Sequence, residues 1–167
     1  MPGGPLSKYR ALIATGELAA DPAQLDAAQR LERLAGALGD WRPNRSRFLS
    51  YVAWPEPAPR GLYIHGAVGR GKTMLMDLFC ESTAFTPKRR VHFHAFMADV
   101  HDRIRAARAR VDGDPVPHVA RELAAGARLL CFDELHVTDI ADAMILSRLF
   151  AGFFAEDTVV VATSNAH

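Results

Sequence analysis

Apolar residues run at helical spacing through residues 1–40, lose all period over 41–60, and then alternate between strand-length runs and helical stripes. Leu25, Ala28, Leu31, Leu34, Ala35 and Leu38 fall on one face at a period near 3.6. The same segment carries its own punctuation: Asp21 as N-cap, Pro22 at the first helical position, Gln24 three residues after the cap and Gly39 past the end. It predicts a helix of about four turns, preceded by a shorter one over Leu6 to Ala14 that stops at Thr15-Gly16. From Asp40 to Arg60 the pattern is interrupted by Pro43, Pro55, Pro57 and Pro59, which reads as a connector. GLYIH (61–65) then has strand length, and TMLMDLFCES places Met74, Leu75, Leu78 and Phe79 on one helical face. RVHFHAF (90–96) alternates like a strand, and ADVHDRIRAARAR returns to helical spacing through Val100, Ile104 and Ala107. After the turn DGDPVP come a helix over HVARELAAGA, the apolar run LLCF (129–132), a helix from Thr138 to about Phe154, and the strand TVVVAT (158–163). Four strands alternating with helices predict a parallel α/β sheet covered on both faces. The expected organisation is an N-terminal helical segment (1–40), a Pro-rich connector (41–60) and a core (61–167).

Composition narrows this only a little. With 167 residues, 49% hydrophobic and 23% charged, the chain is long enough for one globular core. Twenty basic against nineteen acidic residues give a net charge of +1, so nothing global favours nucleic acid or an acidic membrane, and such binding would have to be local. No run of about 18 apolar residues is available for a membrane span. The N-terminus lacks a signal-peptide core, and Glu17 and Asp21 soon interrupt what a basic presequence would need, which makes the cytoplasm the expected compartment. Cys80 and Cys131 both fall inside apolar segments and read as two small buried hydrophobes in a reducing compartment.

The candidate chemistry starts at GAVGRGKT. Gly66, Gly69 and Gly71 let the backbone turn tightly and bring its N–H groups near a ligand that a Cβ would keep away, and a helix N-terminus favours negative charge. With Lys72 and Thr73 the pattern is GxxxxGK[ST], a phosphate cradle with a cation and a magnesium ligand supplied. The strand before it and the helix after it are the context that the motif requires. The expected nucleotide-binding residues are Gly66, Ala67, Val68, Gly69, Arg70, Gly71, Lys72, Thr73 and Met74.

RLLCFDEL supplies a second half. A buried strand would leave Asp133 and Glu134 at its C-terminal edge, where ligands of open α/β sheets bind. Asp133 is expected to hold Mg2+, mostly through water, together with Thr73. Glu134 is expected to orient the water that attacks the γ-phosphate. VVVATSN offers the third part of the site, the last strand bringing Asn165 to the same edge, where its neutral amide can sense the γ-phosphate or hold that water. Lys72, Glu134 and Asn165 are thus the candidate catalytic residues.

In this order and spacing, PLSKYRALIATGELAADPAQ, GLYIHGAVGRGKTMLMDLF, KRRVHFHAFMADVH, LLCFDELHVTDIADAMIL and VVVATSN resemble the ATPase family of the bacterial cell-division protein ZapE and its mitochondrial relatives. HFHAFM after KRR is the most telling piece, because generic P-loop proteins do not share it. The resemblance implies an AAA+ fold, with Asn165 as its first sensor, and ATP and Mg2+ as cofactors. It implies a homo-oligomer, a hexamer at full length, that remodels a protein partner. In bacteria that partner would be the division ring and its tubulin-like polymer, with the protein in the cytoplasm and peripheral to the inner membrane at the division site. In mitochondria it would be a client of inner-membrane quality control. Family members are longer, so the chain is expected to be an N-terminal piece of four strands, with a fifth strand, an arginine finger and a lid beyond residue 167. In that sheet order strand 61–65 would be an open edge prone to self-association. The competing functions are a DNA-linked AAA+ ATPase such as a helicase loader, a small-molecule P-loop kinase, and a fragment that binds nucleotide without turnover.

Three further features have two readings each. Lys88, Arg89, Arg90, Arg103, Arg105, Arg108 and Arg110 cluster positive charge, but Asp99, Asp102 and Asp112 dilute it, which favours a solvated face. Phe96 and Met97 serve equally as an aromatic-aliphatic pore loop gripping polypeptide or as core. His92 and His94 would share one strand face, and without a carboxylate or cysteine beside them they read as satisfied polar groups rather than a metal site.

Overall fold

The computed structural model describes residues 3–42, 56–67, 69 and 71–165. Two helices come first, α1 (Pro5–Ala14) and α2 (Pro22–Asp40), followed by β1 (Leu62–His65), α3 (Lys72–Ser82), β2 (Lys88–His92), α4 (Phe93–Arg108), α5 (Val116–Gly126), β3 (Leu129–Asp133), α6 (Ile140–Ala155) and β4 (Val159–Ser164). All strand pairings are parallel, in the order β1-β4-β3-β2. Among the described residues β1 is therefore an edge strand, where the expected sheet order puts it, and its Tyr63 is 52% exposed.

Every residue of β3 and β4 is buried, which explains their continuous apolar runs: helices cover both faces. Leu129, Cys131, Val159 and Val161 point to the α1–α3 side, where they meet Tyr9, Leu31, Leu38, Leu75 and Phe79. Leu130, Phe132, Val160 and Ala162 point to the other, against Phe93, Phe96, Val100, Leu123, Leu149 and Phe153 of α4–α6. α1 and α2 thus share a core with the sheet. Asp21 caps α2 as read, accepting from the N–H of Ala23 at 2.8 Å and of Gln24 at 3.3 Å. Gly39 does not end that helix; it lies inside the last turn, and Trp41 in extended conformation ends it instead.

The segment 90–96 departs most from expectation. β2 ends at His92, and Phe93 already opens α4. Phe93, Phe96, Met97, Val100, Ile104 and Ala107 form one buried helical stripe, so the 3.6 period reaches back over residues whose local alternation mimicked a strand. His92 ends the strand and His94 lies in the first helical turn, so they share no strand face. Phe96 is fully buried and Met97 is 5% exposed; both are core, and the pore-loop reading falls with that. Among the described residues no cluster of His, Cys, Asp and Glu could hold a metal ion, and no helix is long and apolar enough to cross a membrane. The basic cluster is largely paired: Arg89 and Arg103 bind Asp99 at 3.1 and 2.8 Å, and Arg105 binds Asp102 at 3.1 Å. Cys131 is buried and Cys80 half-buried. The neighbouring Cys80 side chain and burial together push the Cys131 thiol up. Residues 43–55 of the expected connector lie outside the described residues.

Candidate nucleotide site at the carboxyl edge of the sheet

The loop leaving β1 turns through Gly66, Gly69 and Gly71, all with positive φ. Gly71, at φ 72°, is the N-cap of α3. A Cβ there would lie 3.0 Å from the Gln24 side-chain nitrogen and 3.2 Å from the Met74 methyl, so both conformation and crowding call for glycine. Lys72 opens α3 and is only 8% exposed. Its Nζ donates to the carbonyl oxygens of Gly66 at 2.8 Å and Ala67 at 2.7 Å, so the loop's own carbonyls satisfy the buried ammonium. Val68 and Arg70 lie outside the described residues. Met74 packs its side chain into the α1–α3 core, which leaves only its backbone, in the first helical turn, to face a ligand.

A cavity of about 170 Å3 is lined by Gly69, Gly71, Lys72 and Thr73 from the loop side and by Glu134, Thr163 and Asn165 from the ends of β3 and β4. The loop, the second acid and the amide, far apart in sequence, meet there. A second cavity of about 290 Å3 lies on the other side of Lys72, between β1, the loop residues Gly66 and Ala67, and the start of α2 at Asp21, Ala23 and Gln24. A larger one of about 820 Å3, lined by Trp41, Phe85, Pro87 and Arg128, sits where β2 and β3 begin, at the opposite end of the strands.

Glu134 has φ 57°, a left-handed conformation that is rare for a non-glycine residue and concentrates at functional turns. Thr163 holds it there. Its hydroxyl oxygen accepts from the Glu134 N–H at 3.2 Å and its carbonyl from the Leu135 N–H at 2.7 Å. Thr163 was not picked out by sequence, since a threonine at a strand end carries no signal of its own.

Asp133 ends β3 but does not line the 170 Å3 cavity. It is 4% exposed; Oδ2 accepts from Arg90 Nε at 2.7 Å, while Oδ1 is buried with no hydrogen-bond partner among the described residues. A buried carboxylate oxygen left over in this way fits a hard, partly hydrated divalent cation, which wants oxygen ligands and few protein groups. Thr73, which is exposed, and Asp133 are the residues that could hold one.

A parallel sheet of this order, with a glycine loop between its first strand and a helix, defines a P-loop protein of the AAA+ type. Solved structures with the same fold include DnaI (TM-score 0.59, 15% identity, 91% of this chain and 71% of that one) and AMPPCP-bound DnaA from Aquifex aeolicus (TM-score 0.59, 13% identity, 90% and 41%). At these identities the likeness concerns the fold. The chain belongs to the AFG1-like ATPase family, whose sequence profile matches residues 4–167. It is 38% identical over 172 residues to the cell division protein ZapE of Escherichia coli K12, covering 96% of this chain and 45% of ZapE. It is 51% identical over 120 residues to lactation elevated protein 1 homolog B of Danio rerio, covering 66% of this chain and 24% of that protein. The chain thus spans less than half the length of these relatives.

Proposed function

We propose that this chain carries the nucleotide-binding half of an Mg2+-dependent ATPase that remodels a protein partner. The observation that carries the reading is the 170 Å3 cavity in which Lys72, Thr73, Glu134 and Asn165 meet. Lys72 would leave the Gly66 and Ala67 carbonyls for the β- and γ-phosphates, a charge-assisted exchange of one set of oxygens for another. Base and sugar would occupy the 290 Å3 cavity beside the start of α2. Thr73 and Asp133 would hold magnesium, which when bound neutralises the charge that develops on the phosphates. Glu134, fixed by Thr163, would accept a proton from the attacking water, and Asn165 would hold that water or the γ-phosphate.

The name of ZapE, a cell division protein, supports cell division as the setting; we propose the bacterial cytoplasm beside the inner membrane as the place and the division ring as the partner, a client of membrane-associated quality control being the other kind of partner. We also propose 1–40, 41–60 and 61–167 as helical segment, connector and core, and a hexameric full-length form. The test uses the longer protein. Glu134→Gln keeps the shape and loses the base, so ATP affinity should stay while turnover falls by about 100- to 10,000-fold. Turnover that survives the substitution would assign the base elsewhere.

A further inference from the structure

Arg90 belongs to neither half of the loop-and-acid arrangement, yet it is the side chain that holds Asp133. It stands on β2, paired in register with Cys131 of β3, and its Nε reaches Asp133 Oδ2 at 2.7 Å while its Nη1 turns away to Asp77 Oδ1 on α3. A guanidinium beside a single carboxylate ordinarily grips both oxygens in a fork. Here the fork is split between two carboxylates, and the oxygen it forgoes is Oδ1 of Asp133, which has no partner among the described residues. Asp77 lies one helical turn after Thr73, so the bridge ties the loop helix to the acid strand. Burial works against the charge on Arg90, but hydrogen bonds to Asp133 and Asp77 outweigh it and hold the guanidinium above its ordinary value.

We infer that Arg90 and Asp77 are positioning residues: together they hold Asp133 by one oxygen and reserve Oδ1 for the hydrated divalent cation of the nucleotide site. The inference rests on the Mg2+-nucleotide reading above. Removing a group that orients a metal ligand typically costs about 10- to 100-fold in metal affinity. Without Asp77, the freed arm of the guanidinium closes on Oδ1 and competes with the cation. Both substitutions thus lead to the same loss by different routes.

The test is calorimetric titration of this chain with ATP, in magnesium and in a chelator, with the ratio of the two affinities as the readout. Wild type shows a magnesium-dependent gain. In Arg90→Gln the gain shrinks about 10- to 100-fold, while affinity in chelator is kept. Asp77→Ala also loses gain, and because the Asp77 side chain is 47% exposed it decides the matter if Arg90→Gln fails to fold. A wild-type gain retained in both variants overturns the assignment and leaves an ordinary ion pair. A gain that rises in Arg90→Gln overturns it too, since the arginine would then be competing with the cation. A wild type that binds no ATP, or binds it equally with and without magnesium, overturns the underlying reading and this one with it; the unchanged variants overturn this one alone.

Discussion

Phe132 and Asp133 are consecutive on β3 and follow opposite rules. Phe132 is fully buried and meets the rings of Phe96, Phe150 and Phe93 at 4.7, 6.1 and 6.2 Å. Its surroundings are completed by dispersion and aromatic contact. One residue later, Asp133 keeps an oxygen without a partner among the described residues, and Glu134 holds a backbone conformation that L-residues avoid. The difference shows where the molecule stores stability and where it stores readiness: the aromatic face over-determines the strand, so its end can remain unsatisfied and strained.

Breaking the packed side should have the larger effect. Phe96→Ala vacates a site that closes on Phe132 and Phe153 and should cost about 3–5 kcal/mol, read as a fall of about 10 °C or more in thermal melting. An unchanged melt would remove the contrast and return Phe96 to the surface role that its burial rules out. Relieving the strained side should act in the other direction and more weakly. Glu134→Gly frees the left-handed conformation and should raise stability by about 1 kcal/mol, measured by denaturant unfolding, while abolishing turnover in the longer protein. A loss of stability instead would mean that the turn at Glu134 carries no strain worth relieving.

How far the sequence revealed these features depended on whether the signal was local. The cap at Asp21, the glycine loop and the buried strands LLCF and VVVAT each declare themselves within a few residues, because propensity, charge and period agree there. The loop, Glu134 and Asn165 could be assigned to one sheet edge because parallel α/β sheets gather the ends of their strands. The start of α4 could not be found this way. Residues 90–96 alternate in hydrophobicity, and only the longer stripe from Phe93 to Ala107 shows that helix wins. Arg90 looked like one member of a solvated basic cluster; its reach to Asp133 and Asp77 depends on the pairing of β2 with β3, which no local pattern encodes. Thr163 was hidden for the same reason, its role being fixed by the turn that it faces across the sheet.

The central claim is that the loop is a phosphate cradle whose lysine is parked on carbonyls until phosphate replaces them. It is tested most directly by titrating ATP in magnesium into the wild-type chain and into Lys72→Ala, with melting curves to confirm that both are folded. Hydrogen bonds to charged groups contribute about 1.5–3 kcal/mol, so the variant should bind ATP about 10- to 100-fold more weakly than wild type. Equal affinity in the two proteins, or no binding by a folded wild type, would contradict the account.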